Sequence, residues 1–315
     1  MEKATVHRTH CNSRFLGVLF MKTYPYPAGE SKVKWISTAW LKDHIGDDDL
    51  MILDVQPNVH DYIMGHIPGA IYLNEGLLRS AQNRLPAMYV TPESIQSVLS
   101  RAGIDPDKTI VVYSAAGRYS KCAAGLGDGL EQTMMAYSLI RFGHDSVYIL
   151  DGGLEKWKDE GGELTKIFPE WQPTSFKAQL RSDYFVVYDE FKKLREREDV
   201  IVFDARPFES YKEGGLWIKN GHIPGAYSLP WRSLMSKDNP KLMKSDDELR
   251  ELVGKFNITS DKTLLIYCGT GREATNEFLF FKFYLGHEKV RIYEGSFTEW
   301  SSYPENPTAT GENPR

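Results

Sequence analysis

The residues best suited to chemistry form one short run, Cys268-Gly269-Thr270-Gly271-Arg272-Glu273-Ala274. It follows the apolar stretch Leu264 to Tyr267 and leads into an apolar helical segment from Phe278 to Leu285. A cysteine at a strand end, wrapped by a loop with two glycines and backed by a helix N-terminus, can gather several backbone N–H groups around one sulfur. The glycines permit the positive φ angles such a cradle needs. That field, with Arg272 nearby, is expected to lower the thiol pKa and supply thiolate at neutral pH. The same cradle would stabilise a negatively charged persulfide. The chain has three cysteines, Cys11, Cys122 and Cys268, none in a CxxC pair, so neither a disulfide framework nor a zinc site is expected. The nucleophile works alone, with no metal or organic cofactor implied.

Such a loop belongs at the carboxyl end of a strand in an open parallel sheet, and the sequence builds this setting twice. Gly65-His66-Ile67-Pro68-Gly69-Ala70 returns as Gly221-His222-Ile223-Pro224-Gly225-Ala226, 156 residues later. Ile52 to Gln56 answers Ile201 to Arg206, Asp107 to Tyr113 answers Asp261 to Tyr267, and Gly143 to Trp157 answers Gly286 to Trp300. The 315-residue length, about twice the prior for one domain, is therefore a duplication. Short apolar runs at Ile52 to Val55, Ile110 to Tyr113 and Val147 to Leu150 predict buried parallel strands. Ser37, Thr91 and the Ser245-to-Glu248 capping box start helices between such runs. The fold class is α/β, each domain a parallel sheet flanked by helices on both faces. The expected organisation is an extension over residues 1–30, a first domain over 31–170, a linker over 171–182 around Pro173, and a second domain over 183–315.

Comparison of the copies separates their roles. Ser114 stands where Cys268 does, and Gln56 stands where Arg206 does, so the first domain has lost both polar features of an anion site. The first copy reads as inactive and the second as catalytic. Cys122, eight residues past Ser114, reads as a small buried hydrophobe. Asp54 and Asp204 are assigned to local backbone bonding, and His222 to its own turn. Trp217, Trp231, Trp300 and Tyr303 read as core or interface residues.

The two Gly-His-Ile-Pro-Gly-Ala copies, the Cys268 loop and the closing Tyr293-Glu294-Gly295-Ser296-Phe297-Thr298-Glu299-Trp300 together resemble the tandem-domain rhodanese family over about residues 35 to 310. This family holds the thiosulfate and 3-mercaptopyruvate sulfurtransferases. The resemblance implies that a small anionic donor passes its outer sulfur to Cys268, with the loop from Gly269 to Ala274 (Gly269, Thr270, Gly271, Arg272, Glu273, Ala274) binding it. A thiol, cyanide, thioredoxin or a sulfur-carrier protein would then take the sulfur. Arg206 resembles the family arginine that grips the donor's anionic group, as a guanidinium fork suits carboxylate or sulfonate. A salt bridge to Glu209 or Glu213 is its alternative. The resemblance also brings His66 towards the interdomain cleft. Thr270 fits the mercaptopyruvate form of the loop, while Arg272 and Glu273 depart from both forms. Arg272 adds a cation that keeps thiosulfate open, or else points into water.

Composition narrows the alternatives. With 43 acidic against 38 basic side chains, a net charge of −5 and no long basic run, nucleic acid is not an expected partner. The apolar run Phe15 to Met21 is too short to span a membrane. Lys22 and Tyr24-Pro25-Tyr26-Pro27 follow it without a cleavage pattern, and unpaired cysteines suit a reducing cytoplasm. A cysteine-loop phosphatase or arsenate reductase would need an arginine six residues after the cysteine, where Ala274 stands. A non-catalytic binding or regulatory module fits the first copy better than the second.

Overall fold

Strand and helix alternate as the apolar runs demand in the computed structural model, which describes residues 22–117 and 127–314. The first half comprises β1 (Val33–Ile36), α1 (Thr38–His44), β2 (Leu50–Asp54), α2 (Val59–Met64), β3 (Ala70–Tyr72), β4 (Arg79–Gln82), β5 (Leu85–Tyr89), α3 (Pro92–Arg101), β6 (Thr109–Tyr113), α4 (Leu130–Arg141), β7 (Val147–Leu150) and α5 (Gly153–Asp159). The second comprises β8 (Phe185–Val186), α6 (Tyr188–Leu194), β9 (Val200–Asp204), α7 (Phe208–Lys212), β10 (Tyr227–Ser228), α8 (Asp246–Gly254), β11 (Thr263–Tyr267), α9 (Ala274–Leu279), β12 (Val290–Tyr293) and α10 (Ser296–Ser302). The sheets run β1-β7-β6-β2-β3 and β8-β12-β11-β9-β10, all parallel, so the halves share one strand order. Ser37, Thr91 and Ser245 cap their helices, the last with a complete capping box. The helix expected from Phe278 begins earlier, at Ala274, and its Phe280–Tyr284 end is a π-turn.

The repeated hexapeptide has a structural task. Register sets Asp54 beside Tyr113 and Asp204 beside Tyr267. The Tyr113 hydroxyl accepts the Ile67 N–H at 3.1 Å and donates to Asp54 at 2.5 Å; Tyr267 accepts the Ile223 N–H at 3.0 Å and also bonds Asp204. Each turn histidine then pairs through its backbone with the segment leaving its domain, His66 with Thr165 and His222 with Ala309. The hexapeptide thus ties turn, sheet and domain exit together.

Residues 22–30 do not behave as a loose extension. Tyr24 donates to Asp151 at 2.6 Å, Lys22 reaches the same oxygen at 3.1 Å, and the Tyr26 ring packs 4.4 Å from that of Tyr284 in the other half. Two aromatic rings fill a seam, which outweighs the polar, proline-rich composition. Residues 1–21, with Cys11, lie outside the described residues, as does Cys122. The expected linker is strapped to the first half: Trp171 donates to the Arg101 carbonyl at 3.2 Å, Thr174 N–H to Ser100 at 2.9 Å, and Phe176 is buried. Among the described residues no helix is long and apolar enough to cross a membrane.

The halves meet through α4 and α9, inside one apolar cluster that runs through both. Every residue of α4 is buried, although it carries Glu131, Gln132, Thr133 and Arg141. Burying such groups requires partners. Arg141 makes a two-pronged pair with Glu294 at 2.6 and 2.8 Å, and Tyr137 donates to the same carboxylate at 2.9 Å. Replacing Glu294→Ala strands the Arg141 cation and should cost about 3–5 kcal/mol of stability in urea unfolding. A loss under about 1 kcal/mol, typical of exposed pairs, would show that the pair does not join the halves.

Candidate active site

Cys268 follows β11, and both of its backbone groups are fixed by the start of α10. Its N–H donates to Ser296 Oγ at 3.1 Å and its carbonyl accepts the Phe297 N–H at 2.9 Å. Ser296 holds a positive φ of 52°, where the repeat copy has Gly153 at 61°. An L residue in that conformation is strained, and here the strain places a hydroxyl that glycine lacks. Next, the Gly269 carbonyl accepts both the Thr298 N–H at 3.1 Å and the Thr298 hydroxyl at 2.8 Å. Trp217 donates to that hydroxyl and lies so close over Gly269 that a Cβ there would sit 2.4 Å from the indole. Gly271, with φ of 83°, turns its N–H onto Cys268 Sγ at 3.1 Å.

The thiol is wholly buried. Burial pushes its pKa well above the ordinary value, and the charge of the nearby Glu273 carboxylate pushes further in the same direction. The amides of Ala274 and Thr270 act in the opposite sense. The expectation of a lowered thiol pKa is therefore reversed, because desolvation and a neighbouring anion outweigh the amide cradle. Arg272 does not offset them. Its guanidinium reaches into the first half, 3.1 Å from Glu75, 3.3 Å from Asp128 and 2.8 Å from Glu131. It neither faces the sulfur nor points into water.

Arg206 is buried and bonds Asp204, not Glu209 or Glu213. Its Nε donates to both Asp204 oxygens at 3.0 and 3.1 Å, and Nη2 donates to Asp204 at 2.6 Å and to the Gly221 carbonyl at 2.8 Å. The guanidinium is stacked among Trp217 and Phe297 and lies within electrostatic reach of Cys268. Its Nη1 is buried with no hydrogen-bond partner. His66 is placed elsewhere: its ring nitrogens lie 2.9 Å from the Tyr62 carbonyl and 3.1 Å from that of Ile167, and its partners all belong to the first half. Thr270 is approached from the first half, where Arg79 donates to its carbonyl. The β4–β5 hairpin leaves a cavity of only about 10 Å³ there. A concavity of about 920 Å³ lined by Val200, Ile201 and Val202 includes none of the loop.

In the first half, Gln56 donates to Asp54 at 2.8 Å in place of the arginine, and Ser114 donates to Glu131 at 3.2 Å. Glu131 also holds Arg272, so one carboxylate links Ser114 to the Cys268 loop. The residues that sequence reasoning did not single out are those supporting the loop: Ser296, Thr298, Glu131 and Arg79. Only Ser296 left a readable trace, a serine where the aligned repeat has glycine.

A family profile described as Rhodanese-like domain matches residues 37–160 and 187–303. A putative thiosulfate sulfurtransferase of Synechococcus elongatus is 33% identical over 283 residues, covering 87% of this chain and 85% of the relative. The sulfur carrier protein TtuD of Thermus thermophilus is 29% identical over 296 residues, covering 88% and 96%. The 3-mercaptopyruvate sulfurtransferase of Escherichia coli is 27% identical over 286 residues, covering 87% and 96%. Among solved structures, the anaerobic ergothioneine biosynthesis enzyme from Chlorobium limicola, in complex with trimethyl histidine, aligns with a TM-score of 0.76 at 25% identity. The alignment covers 88% of this chain and 70% of that one.

Asp54, beside Gln56, carries a titration signature. Burial pushes the Asp54 carboxyl up to about 6, against hydrogen bonds from Tyr113 and Gln56 that favour its charged form. The folded state holds this proton more tightly than the unfolded chain, so Asp54 adds stability below about pH 4 that is lost as the pH rises through about 6. Unfolding measured across this window should show a wild-type decline approaching about 1.4 kcal/mol per pH unit, absent from Asp54→Asn. Equal slopes in both proteins would mean that Asp54 folds in its charged form.

Proposed function

The chain belongs to the rhodanese family of sulfurtransferases, and from that premise we propose that it moves a sulfane sulfur from a small anionic donor through a persulfide on Cys268. The observation that carries this reading is the buried Cys268 sulfur receiving the Gly271 N–H at 3.1 Å at the end of β11. After the donor's outer sulfur is transferred, the amides of Thr270, Gly271 and Ala274 hold the persulfide charge. Preorganised donors of this kind usually supply the largest single share of stabilisation. Arg206 takes the donor's carboxylate or sulfonate through its unpartnered Nη1.

We favour 3-mercaptopyruvate as donor. Arg272 is the sole cation of the 268–274 loop, and its charge is compensated by Glu75, Asp128 and Glu131. The loop therefore lacks the extra positive charge that would suit thiosulfate. Thiosulfate is the second reading, supported by the name of the Synechococcus relative. Cyanide, a low-molecular-weight thiol, thioredoxin or a sulfur-carrier protein accepts the sulfur, in a reducing cytoplasm suited to the free thiol.

Incubation with donor should add about 32 Da to Cys268 as a persulfide, and Cys268→Ala should abolish both the adduct and turnover. An unmodified thiol would instead favour a binding module on the same fold. Arg206→Lys keeps a charge beside Asp204 but loses the planar fork. It should raise the donor KM roughly tenfold, about 1.4 kcal/mol of binding, with a smaller change in kcat. An unchanged KM would return Arg206 to a purely structural role. A higher kcat/KM for thiosulfate than for 3-mercaptopyruvate would reverse the donor assignment.

A further inference from the structure

We propose that Glu273 takes the proton from Cys268 and returns it to the departing donor fragment, a role that rests on the sulfurtransferase reading above. Glu273 is the residue immediately before α9, and its Oε2 lies 3.5 Å from the Gly269 N–H, which folds the carboxylate back over the loop. The Gly271 amide donates to the thiol sulfur at 3.1 Å, and the other groups that act on that sulfur electrostatically are the Thr270 and Ala274 amides and the Glu273 carboxylate. An amide N–H cannot accept a proton, whereas a carboxylate can. The ring of His66 bonds the Tyr62 and Ile167 carbonyls and that of His222 bonds the Tyr211 carbonyl, none of them in the Cys268 loop.

The other charged and titratable groups facing this corner do not compete for the role. Arg206 and Asp204, at the end of β9, are paired with each other. Tyr267 bonds Asp204, and Arg272 faces Glu75, Asp128 and Glu131. Glu277, one helical turn beyond Glu273, is buried without a hydrogen-bond partner, and burial favours its neutral form.

The step balances with either donor. The Cys268 S–H bond breaks and its proton passes to Glu273. The sulfur then attacks the donor's outer sulfur, forming the new S–S bond. The bond from that outer sulfur to C3 of mercaptopyruvate, or to the central sulfur of thiosulfate, breaks, and its electron pair leaves on pyruvate enolate or on sulfite. Each leaving group is a base, and each receives the Glu273 proton. No external oxidant or reductant is consumed.

Glu273→Gln separates this role from simple repulsion, because it keeps the shape and an acceptor for the Gly269 N–H while removing charge and basicity. The thiol, followed by its ultraviolet thiolate absorbance with a Cys268→Ser background subtracted, should titrate at lower pH than in the wild type. Single-turnover persulfide formation should nonetheless slow by about 10²–10⁴-fold, the usual contribution of a positioned acid–base group. Glu273→Asp should recover part of the rate. Persulfide formation in Glu273→Gln at or above the wild-type rate, as relief of repulsion alone would give, overturns the proposal. Absence of any persulfide in the wild-type protein overturns the sulfurtransferase reading, and this role with it.

Discussion

The Arg272 guanidinium ties the Cys268 loop to the other half of the molecule, alongside Arg79, which donates to the Thr270 carbonyl. The Arg272 group sits among Glu75, Asp128 and Glu131, three carboxylates that would repel one another without it. A largely buried cation with three anionic partners has few alternative positions, since leaving any of these charges unpaired and desolvated is costly. The backbone of Arg272 is therefore held from outside its own domain, and the Gly271 amide that meets the Cys268 sulfur is its neighbour. The half with Ser114 at this position has become the mount for the half with Cys268.

The helix α4 shows how this division of labour is built. Two duplicated domains could meet through apolar faces alone, yet the α4 face carries Glu131, Thr133, Tyr137 and Arg141. Each has a partner across the interface: Arg272 for Glu131, Thr275 for Thr133, and Glu294 for both Tyr137 and Arg141. The equivalent of Glu294 in the first half is Asp151, at the end of β7, and it too reaches across, accepting the Met243 N–H at 2.9 Å. Each strand-end carboxylate thus holds the opposite half, a reciprocity inherited from the repeat. Polar pairing specifies one docking geometry, where apolar contact alone would tolerate several.

The chemistry follows from a balance of opposing fields. Loop amides favour a charged sulfur, while burial and Glu273 favour the neutral thiol and outweigh them. A resting thiol of this kind is shielded from adventitious oxidation, because the thiolate is the reactive form. The same corner pairs Arg206 with Asp204, whereas in the first half Gln56 and Tyr113 bond Asp54, whose carboxyl burial holds up to about 6.

The duplication, the parallel α/β alternation of each half, and the helix caps at Ser37, Thr91 and Ser245 were all legible in the sequence. They depend on local periodicity and on comparing two copies of one pattern. The seam filled by Tyr24 and Tyr26 was not, because composition says nothing about which cavity an aromatic ring will fill. Nor were the partners of Arg272, which lie 141 to 197 residues away in the chain, or the sign of the thiol's pKa shift. Sequence alone determined which groups are present and on which element each is carried. Tertiary structure decided what each charge faces and how much water remains around it. Coulomb energies scale with inverse distance and local dielectric, and neither quantity is written in the order of residues.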